Sequence, residues 1–255
     1  MSNGKRQLLA DTARLQALYV LRLWSETGRS LDELIATQTP WRSQLPSEGA
    51  SLPEFVQCAA EILSSPSSEA DRADRLVEFA DPLFAEGIGR TAEADRNLRW
   101  FGSFRFAEHP GEGAISLHIA NRSGIRSPFE DMKGCFECLR DLCTAVETLT
   151  FPVIMVTCGT WLNDRPDFLS LFPASYRNSL QISPPDGKTG LGWWGQFVDR
   201  RGQLHRRRAD QLLKTGSFPH SRKDGKCDFH EFKAHVAAGA YGAGKHLILQ
   251  GGLHV

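Results

Sequence analysis

The chain has 255 residues, enough for one large domain or two modest ones with a core that needs no disulfide or metal to hold it. Hydrophobic residues make up 41% of the chain and charged residues 24%, which excludes a disordered protein. Lysine plus arginine and aspartate plus glutamate both number 30, so the net charge is zero and a dedicated nucleic-acid binder is disfavoured.

The sequence predicts neither a membrane span nor a secretion signal. The densest apolar run, residues 15–24, falls well short of the roughly 20 residues that a spanning helix needs, and it contains Arg22. The first residues are basic, but Asp11 follows them and no apolar signal core or cleavage site is present. We therefore expect a cytoplasmic protein without a membrane partner, in which all six cysteines are reduced thiols.

Residues 1–97 are predicted to be helical, because apolar residues recur there at helical spacing. One long helix should end near Gly28, and Ser30 should begin the next helix with a capping box. Pro53 stands at the first position of a third predicted helix. A fourth helix should be kinked or broken by Pro82.

The pattern changes from residue 98 onwards. Residues 98–106 and 114–121 alternate around a turn, as the strands of a β-hairpin do. An amphipathic helix is predicted for residues 127–149, and the apolar run 151–158 has the length of a strand that is buried on both faces. A strand, a helix and a strand in this order indicate a βαβ unit attached to the hairpin, and hence a mixed sheet.

These elements predict an α+β fold, in which a helical N-terminal part packs on a mixed β-sheet with flanking helices. The expected divisions are an all-helical part at 1–97, a site-bearing α/β domain at 98–236 and a C-terminal tail at 237–255. Residues 239–246, GAYGAGKH, have the spacing of a phosphate-binding loop. No strand precedes them and a histidine replaces the usual Ser or Thr, so we do not expect nucleotide binding.

Four residues have the spacing of a zinc site: Cys135 and Cys138 in one pair, Cys227 and His230 in the other. Cys135, however, lies on the apolar face of its predicted helix, where cysteine is an ordinary small hydrophobic residue. We therefore expect buried thiols, and we predict that the protein uses no metal and no cofactor.

Polar side chains gather where the second strand of the hairpin ends. His118 lies on the polar face of that strand, and Asn121, Arg122 and Arg126 follow it before the next helix begins. Because α/β folds build sites at strand ends ahead of helix N-termini, we predict His118 and Asn121 as catalytic residues. His118 would accept a proton near neutral pH. Arg105, Arg122 and Arg126 would bind substrate, unless these side chains are simply solvated at the surface.

The next predicted strand also ends in polar residues. Cys158 and a glycine precede Thr160, Trp161 and Asn163, which we predict to line the same pocket. The glycine permits a tight turn or the close approach of another group. Cys158 would serve as a nucleophile only if its pKa were lowered and a base lay nearby, and the sequence indicates neither.

Two adjacent tryptophans, Trp193 and Trp194, stand between glycines ahead of an arginine-rich run. Surface loops rarely expose two such side chains, so we predict that one packs in the core and the other forms the wall of a pocket. Trp194 should face the same pocket as Trp161 and His118; the alternative is a packed corner of the core. The polar residues predicted to reach into this pocket are Gln196, Asp199, His205, Arg206 and Arg207.

Positive charge is concentrated in residues 200–226, which hold nine lysines and arginines against two aspartates. Arginine dominates there, as expected for a clamp that binds carboxylate, sulfate or phosphate bidentately. This favours a cofactor-independent enzyme that acts on a small anionic substrate. The alternative is a non-catalytic interaction protein that docks a small acidic partner protein through the basic segment.

The strings LHIAN, CGTWLN, LFPASYRNSL and GWWGQFVDRRGQLHRRR resemble a group of bacterial proteins found near natural-product biosynthesis genes. The aziridine-forming enzyme of the azinomycin pathway is similar to them as well. The resemblance covers roughly residues 98–220 and carries over no functional residue. It implies secondary metabolism and a cofactor-free ring closure, in which an amine displaces a sulfate leaving group. Arginines would then bind the departing anion, and a carboxylate or a histidine would take the amine proton.

Overall fold

The computed structural model of the chain describes residues 3–45, 52–96, 98–122, 126–184 and 187–242. They form an α+β fold, as predicted. The chain divides into two compact units: unit 1 comprises Met1–Leu98 and Pro184–Ser221, and unit 2 comprises Arg99–Ser183 and Arg222–Val255.

The regular elements in the described ranges begin with four α-helices, and helices and short strands follow in mixed order. The helices are α1 (Asn3–Thr27), α2 (Leu31–Gln38), α3 (Leu52–Ser64), α4 (Glu69–Arg96), α5 (Met132–Val146), α6 (Pro166–Leu169), α7 (Ala174–Asn178), α8 (Leu191–Trp194), α9 (Arg206–Thr215) and α10 (Phe229–Gly242). The strands are β1 (Phe104–His109), β2 (Ala114–Ile119), β3 (Met155–Thr160), β4 (Gln181–Ile182) and β5 (Lys223–Asp228).

Helices α1 to α4 of unit 1 pack around Trp41, which is 1% exposed. The centroid of its ring lies 5.8 Å from that of Phe55 and 6.3 Å from that of Phe84. The Trp41 indole N–H donates to Gln16 Oε1 over 2.5 Å, so the one polar group of this side chain is satisfied inside the core.

The boundaries of these helices follow the sequence in one case and depart from it in another. Ser30 provides one half of the predicted capping box, because its hydroxyl accepts the N–H of Glu33, while the Glu33 carboxylate accepts hydrogen bonds from Arg29. Pro82 does not break α4, which runs through this residue without interruption, and the predicted alternative of a kink stays a prediction. Pro82 is exposed, while Ala80 and Phe84 on either side of it are buried in the core of unit 1. Packing on both sides therefore outweighs the helix hydrogen bond that proline cannot donate.

Unit 1 also includes the later segment Pro184–Ser221, because the two tryptophans of α8 in that segment pack on α1. Trp193, Trp194 and Phe197 share a core cluster with Leu15 and Tyr19. The compact units therefore divide the chain differently from the predicted ranges 1–97, 98–236 and 237–255. The start of the predicted tail is also wrong, since α10 continues to Gly242. Of the loop-like sequence 239–246, residues 243–246 lie outside the described residues.

Unit 2 is built on a mixed sheet of five strands in the order β1-β2-β3-β5-β4. β1 and β2 form the predicted antiparallel hairpin, and β2 pairs with β3 in parallel, so β2, α5 and β3 are the predicted βαβ unit. β5 runs antiparallel to both β3 and β4. Helices α5 and α10 pack together and bury one face of the sheet, with Leu139, Val156 and Phe232 in the core.

The prediction that the third strand is buried on both faces is wrong. Val156, Cys158 and Thr160 are buried, but Met155, Thr157 and Gly159 on the other face are only half-buried. The apolar residues that suggested complete burial precede the strand, and one of them, Ile154, is 62% exposed.

None of the helices in the described ranges is long and apolar enough to cross a membrane.

Candidate functional site

The face of the unit 2 sheet opposite α5 and α10 carries a set of polar side chains. Strand alternation brings them there, because the apolar residues between them point into the core. The set consists of Arg105 and His109 on β1, Ser116 and His118 on β2, Thr157 on β3, and Asp224 and Lys226 on β5. We call this surface the polar face.

His118 lies at the end of the polar face where β2 and β3 both terminate. Ser116 pairs with Thr157 in the parallel ladder, so the carboxyl ends of these strands meet at one edge of the sheet, as the predicted βαβ unit requires. His118 is exposed, and it stands directly opposite Arg105 on β1. Asn121 is exposed just beyond the end of β2.

Two of the predicted arginines converge on one aromatic ring. The guanidinium carbon of Arg122 lies 4.8 Å from the centroid of Trp100, and that of Arg105 lies 5.5 Å from it. Neither guanidinium is within ion-pairing distance of a carboxylate in the part of the chain that the structure describes. The indole nitrogen of Trp100 is buried and has no hydrogen-bond partner there. Arg126 is exposed, and no contact connects it to this cluster.

The centre of the polar face holds a chain of hydrogen bonds that the sequence did not reveal. His109 Nε2 lies 2.9 Å from Ser116 Oγ, which in turn lies 2.8 Å from Thr157 Oγ1. The Thr157 hydroxyl also reaches the Ile115 carbonyl over 3.3 Å. Strand alternation could have placed Ser116 beside His118, but the position of His109 depends on the register of the hairpin.

Gly159 is the glycine at the end of β3, and it permits the close approach of other groups. A side-chain carbon at this position would overlap the ends of both Arg222 and Asp224. These two residues form an ion pair of 2.9 Å over the glycine. Asp224 also accepts a hydrogen bond from Ser183. The position of this pair over Gly159 was not predicted, because it depends on the pairing of β5 with β3, two strands that lie far apart in the sequence.

Two of the residues predicted to line the pocket instead hold unit 2 together. Thr160 is buried, and its hydroxyl accepts the N–H of Leu162 at the start of the following helical turn. Asn163 is 0% exposed, and its amide donates to the carbonyls of Cys158 and Lys223 over 3.1 and 2.7 Å. We correct their assignment accordingly. Trp161 is half-buried.

Several thiols of unit 2 are buried, and burial disfavours their ionised, nucleophilic form. Cys158 is 3% exposed, and burial raises the pKa of its thiol to about 12. Burial raises the pKa of Cys135 and of Cys227 to about 12 as well, so these residues are packed thiols, as predicted. Among the residues that the structure describes, no three His, Cys, Asp or Glu side chains are grouped so that they could hold a metal ion.

The two tryptophans of unit 1 are both core residues. Trp193 is 6% exposed and Trp194 is 3% exposed. Their rings pack edge to face on Phe218 at centroid distances of 5.4 and 5.1 Å. The expectation that one of them is a pocket wall does not fit this burial. A pocket shared with His118 and Trp161 would join residues of both units, and it stays a prediction.

The polar residues that follow the tryptophans are mostly engaged inside unit 1. Gln196 is 0% exposed; its amide nitrogen donates to the carbonyls of Trp193 and His220, and its oxygen accepts the N–H of His220. Asp199 accepts the backbone N–H groups of Arg201 and Gln203, which closes a turn. These two assignments are corrected, because the carbonyl and N–H groups of the chain already occupy both side chains.

Of the predicted clamp, Arg206 and Arg207 remain exposed in the first turn of α9, and His205 precedes them half-buried. None of the predicted site residues lines either of two surface grooves. One groove, in unit 1, is lined by residues that include Trp24 and Ser64, and the other, in unit 2, by residues that include Val146 and Phe229.

The chain matches no protein-family model, no curated protein and no solved structure.

Four residues at one end of the unit 2 sheet indicate which chemistry the protein can perform. Trp100, Arg105, His118 and Arg122, which we call the arginine–tryptophan edge, combine two positive charges, an aromatic plane and an imidazole at one end of the sheet. This set can bind an anion and exchange a proton with it.

Proposed function

We propose that unit 2 binds a small anionic compound at the arginine–tryptophan edge and that the protein is a cofactor-independent enzyme of small-molecule biosynthesis. One observation carries the proposal. Arg105 and Arg122 are both held against Trp100, and neither has a carboxylate partner among the described residues. Two positive charges kept together without an internal counter-ion are suited to a ligand that supplies the negative charge.

The aromatic ring supports this proposal because it orders the guanidinium groups without using their hydrogen bonds. A guanidinium that stacks on an indole keeps its N–H groups in its own plane, free to bind carboxylate, sulfate or phosphate bidentately. Stacking also restricts a long side chain before the ligand arrives, which reduces the entropy lost on binding.

His118 is the proposed proton acceptor. It stands opposite Arg105, so a substrate whose anionic group is bound there would bring its neighbouring atoms to the imidazole. Histidine suits proton transfer near neutral pH. The ring closure implied by the resemblance would use both functions. An amine nitrogen would form a bond to carbon while the carbon–oxygen bond to sulfate breaks, His118 would take the amine proton, and the arginines would hold the departing sulfate.

A cytoplasmic location is part of the proposal. All six cysteines are free thiols, which fits a reducing compartment.

Binding of sulfate and of small carboxylates to the purified protein tests the anion site. Arg105→Ala and Arg122→Ala should each weaken binding about three- to tenfold, the effect of losing one partly exposed charged hydrogen bond. Arg140→Ala is the matched control, because Arg140 is an exposed arginine on α5 of the same unit. Nuclear magnetic resonance titration gives the affinities. Equal affinity in all four proteins contradicts the proposal.

The catalytic part of the proposal needs a substrate from such an anion screen. His118→Asn should then lower turnover by about 10²–10⁴-fold, because the general base is lost, while anion binding is kept. Full turnover in the folded variant would leave anion binding standing and remove His118 from the mechanism.

One observation favours a second function, the docking of an acidic partner protein. Arg200, Arg201, Arg206 and Arg207 are exposed within eight residues of chain in unit 1. Arg206→Glu and Arg207→Glu would then abolish capture of the acidic partner while sulfate binding is unchanged. Arg105→Ala would have the opposite effect, so the two functions are separable.

A further inference from the structure

The ammonium group of Lys188 lies among three aromatic rings of unit 1. Its nitrogen is 5.8 Å from the centroid of Tyr19, 5.8 Å from that of Trp193 and 5.5 Å from that of Phe218. The ring of Phe218 stands at 90° to that of Tyr19 and at 72° to that of Trp193, with centroids 5.5 and 5.4 Å apart. Perpendicular rings present several π faces to one point, which is the arrangement that attracts a cation.

Two buried oxygen atoms also accept hydrogen bonds from this ammonium group. Lys188 Nζ donates to Gln38 Oε1 over 3.1 Å and to the Tyr19 hydroxyl over 3.3 Å. Gln38 is 2% exposed and Tyr19 is 1% exposed. We call Tyr19, Gln38, Trp193 and Phe218 the ammonium cage. It offers π faces for the positive charge and two acceptors for N–H groups.

The short segment that carries Lys188 is fixed by the neighbouring tryptophans. The indole N–H of Trp194 donates to the Lys188 carbonyl over 2.7 Å. The backbone N–H groups of Trp193 and Trp194 both bond the carbonyl of Gly190, over 3.0 and 3.2 Å. Gly187 has a φ of +91°, a conformation that favours glycine. The two glycines and the two tryptophans of this segment thus fix the backbone that carries the Lys188 ammonium group.

We propose that the ammonium cage is a binding site for a primary alkylammonium group and that Lys188 fills it when no such ligand is bound. Burying an ammonium group is unfavourable, and an apolar side chain would fill the space between these three rings at lower cost. The presence of a lysine therefore indicates that the site is adapted to a positive charge. Lys188 is half-buried and has four methylene groups, so its side chain can leave the cage while its backbone stays in place.

The two acceptors define the class of ligand. A primary ammonium group supplies N–H donors to Gln38 and Tyr19, whereas a quaternary ammonium group would leave both oxygen atoms without a donor. The site therefore selects a primary alkylamine over a tetramethylated one. The amine could belong to a free small molecule or to a lysine of another polypeptide, since both present the same group.

Calorimetric titration of Lys188→Ala tests the site directly. n-Butylammonium should bind this variant at least tenfold more tightly than it binds the wild type, because the internal competitor is gone. It should also bind tenfold more tightly than 1-butanol, a neutral molecule of the same length, and more tightly than tetramethylammonium. Nα-acetyl-lysine amide, run in parallel, distinguishes a lysine-bearing partner from a free amine. Lys214→Ala, which removes an exposed lysine of unit 1, should behave as the wild type.

Phe218→Leu in the Lys188→Ala background should weaken the preference for the cation, since it deletes one of the three π faces. Equal binding of 1-butanol and n-butylammonium to Lys188→Ala would overturn the proposal, because the site would then be a plain apolar cavity.

The wild-type protein supplies a second test that does not depend on the folding of any variant. The ε-methylene protons of Lys188 should be shifted upfield by the three rings, and excess n-butylammonium should return them to the position of the Lys214 signals. No displacement by excess amine, together with no binding to folded Lys188→Ala, would make Lys188 a fixed structural side chain and overturn the proposal. Every residue tested here belongs to unit 1, so failure would leave the proposed anion site of unit 2 untouched.

Discussion

Single buried amide side chains connect separate segments of the backbone in both units. Asn163 ties the carbonyl of Cys158 to that of Lys223, 65 residues apart in the chain. Gln196 does the same between Trp193 and His220. Each amide satisfies carbonyl groups that would otherwise be buried without a partner. Polar side chains near the predicted site therefore serve the fold as often as they face a surface.

The cysteines give a prediction at the same scale. Cys58 is exposed, whereas Cys143 and Cys158 are buried and have pKa values raised to about 12 by that burial. A raised thiol pKa keeps these thiols protonated near neutral pH, so the reactive thiolate is scarce in the native protein. Iodoacetamide should therefore modify Cys58 first, because it is exposed, and raising the pH from about 7 to about 9 should hardly accelerate the modification of Cys143 and Cys158.

Peptide mass spectrometry over a time course measures these rates, with urea-unfolded protein as the control in which all six cysteines react. Modification of Cys158 in the folded protein as fast as that of Cys58 would contradict the assignment. It would also restore Cys158 as a candidate nucleophile.

Strand alternation was enough to predict some site residues but not others. It placed Arg105 and His118 on polar faces, and the structure sets them opposite each other. It could not show that Asn163 and Gln196 are buried, because an amide near a strand or helix end has the same sequence pattern whether it faces water or two carbonyls. The cation of Lys188 was missed for a similar reason, since its three rings come from three separate segments.

At the scale of elements, α9 has positively charged side chains at its N-terminus, the end at which the helix dipole is already positive. Arg206 and Arg207 occupy the first turn, where the helix end is already positive, and no side chain caps it. Ala209 and Leu212 bury the other side of the helix in unit 1. Helix stability does not explain arginine in the first turn, which supports a role for these side chains in binding.

Reversing one charge at each end of α9 should have opposite effects. Arg207→Glu should stabilise the protein by about 0.3–1 kcal/mol, and Lys214→Glu in the last turn should destabilise it by a similar amount. Urea unfolding measures both changes, and both should shrink in about 1 M salt because screening is then strong. A loss of stability in both variants would show that specific contacts, not the helix dipole, decide the outcome.

β5 shows why some elements escaped prediction. Its sequence, KDGKCD, has little β-forming tendency and contains Gly225. It is a strand because it pairs with β3 along its whole length and because Tyr176 packs against the glycine, where a side-chain carbon would overlap the ring. Long-range pairing and packing therefore override local preference here. The hairpin of β1 and β2 was predicted, since its pairing is local.

At the scale of the whole molecule, the chain crosses between the two units three times. It does so after Leu98, after Ser183 and after Ser221. Each hydrophobic cluster formed by the described residues nevertheless belongs to one unit: two lie in unit 1 and one in unit 2. A division into consecutive domains could not represent this arrangement, because the anchor of the inserted segment is the contact of Trp193 and Trp194 with α1.

The insertion itself leads to the last prediction, that unit 2 folds alone. Ser183 N–H donates to the Arg222 carbonyl over 3.0 Å, so the segment between them leaves and re-enters the sheet at adjacent points. Because β4 and β5 are antiparallel, an Asn-Gly turn can join these two residues as a hairpin. Residues 99–183 joined in this way to 222–255 keep the entire core cluster of unit 2 and the whole arginine–tryptophan edge.

This shortened chain should unfold cooperatively in urea and bind sulfate as the full chain does. Phe232→Ala in it should cost about 3–5 kcal/mol and abolish the cooperative transition, because it removes a ring from the centre of that core. A shortened chain that is collapsed but not cooperative would mean that the core of unit 2 depends on unit 1, and that the two units are one folding domain.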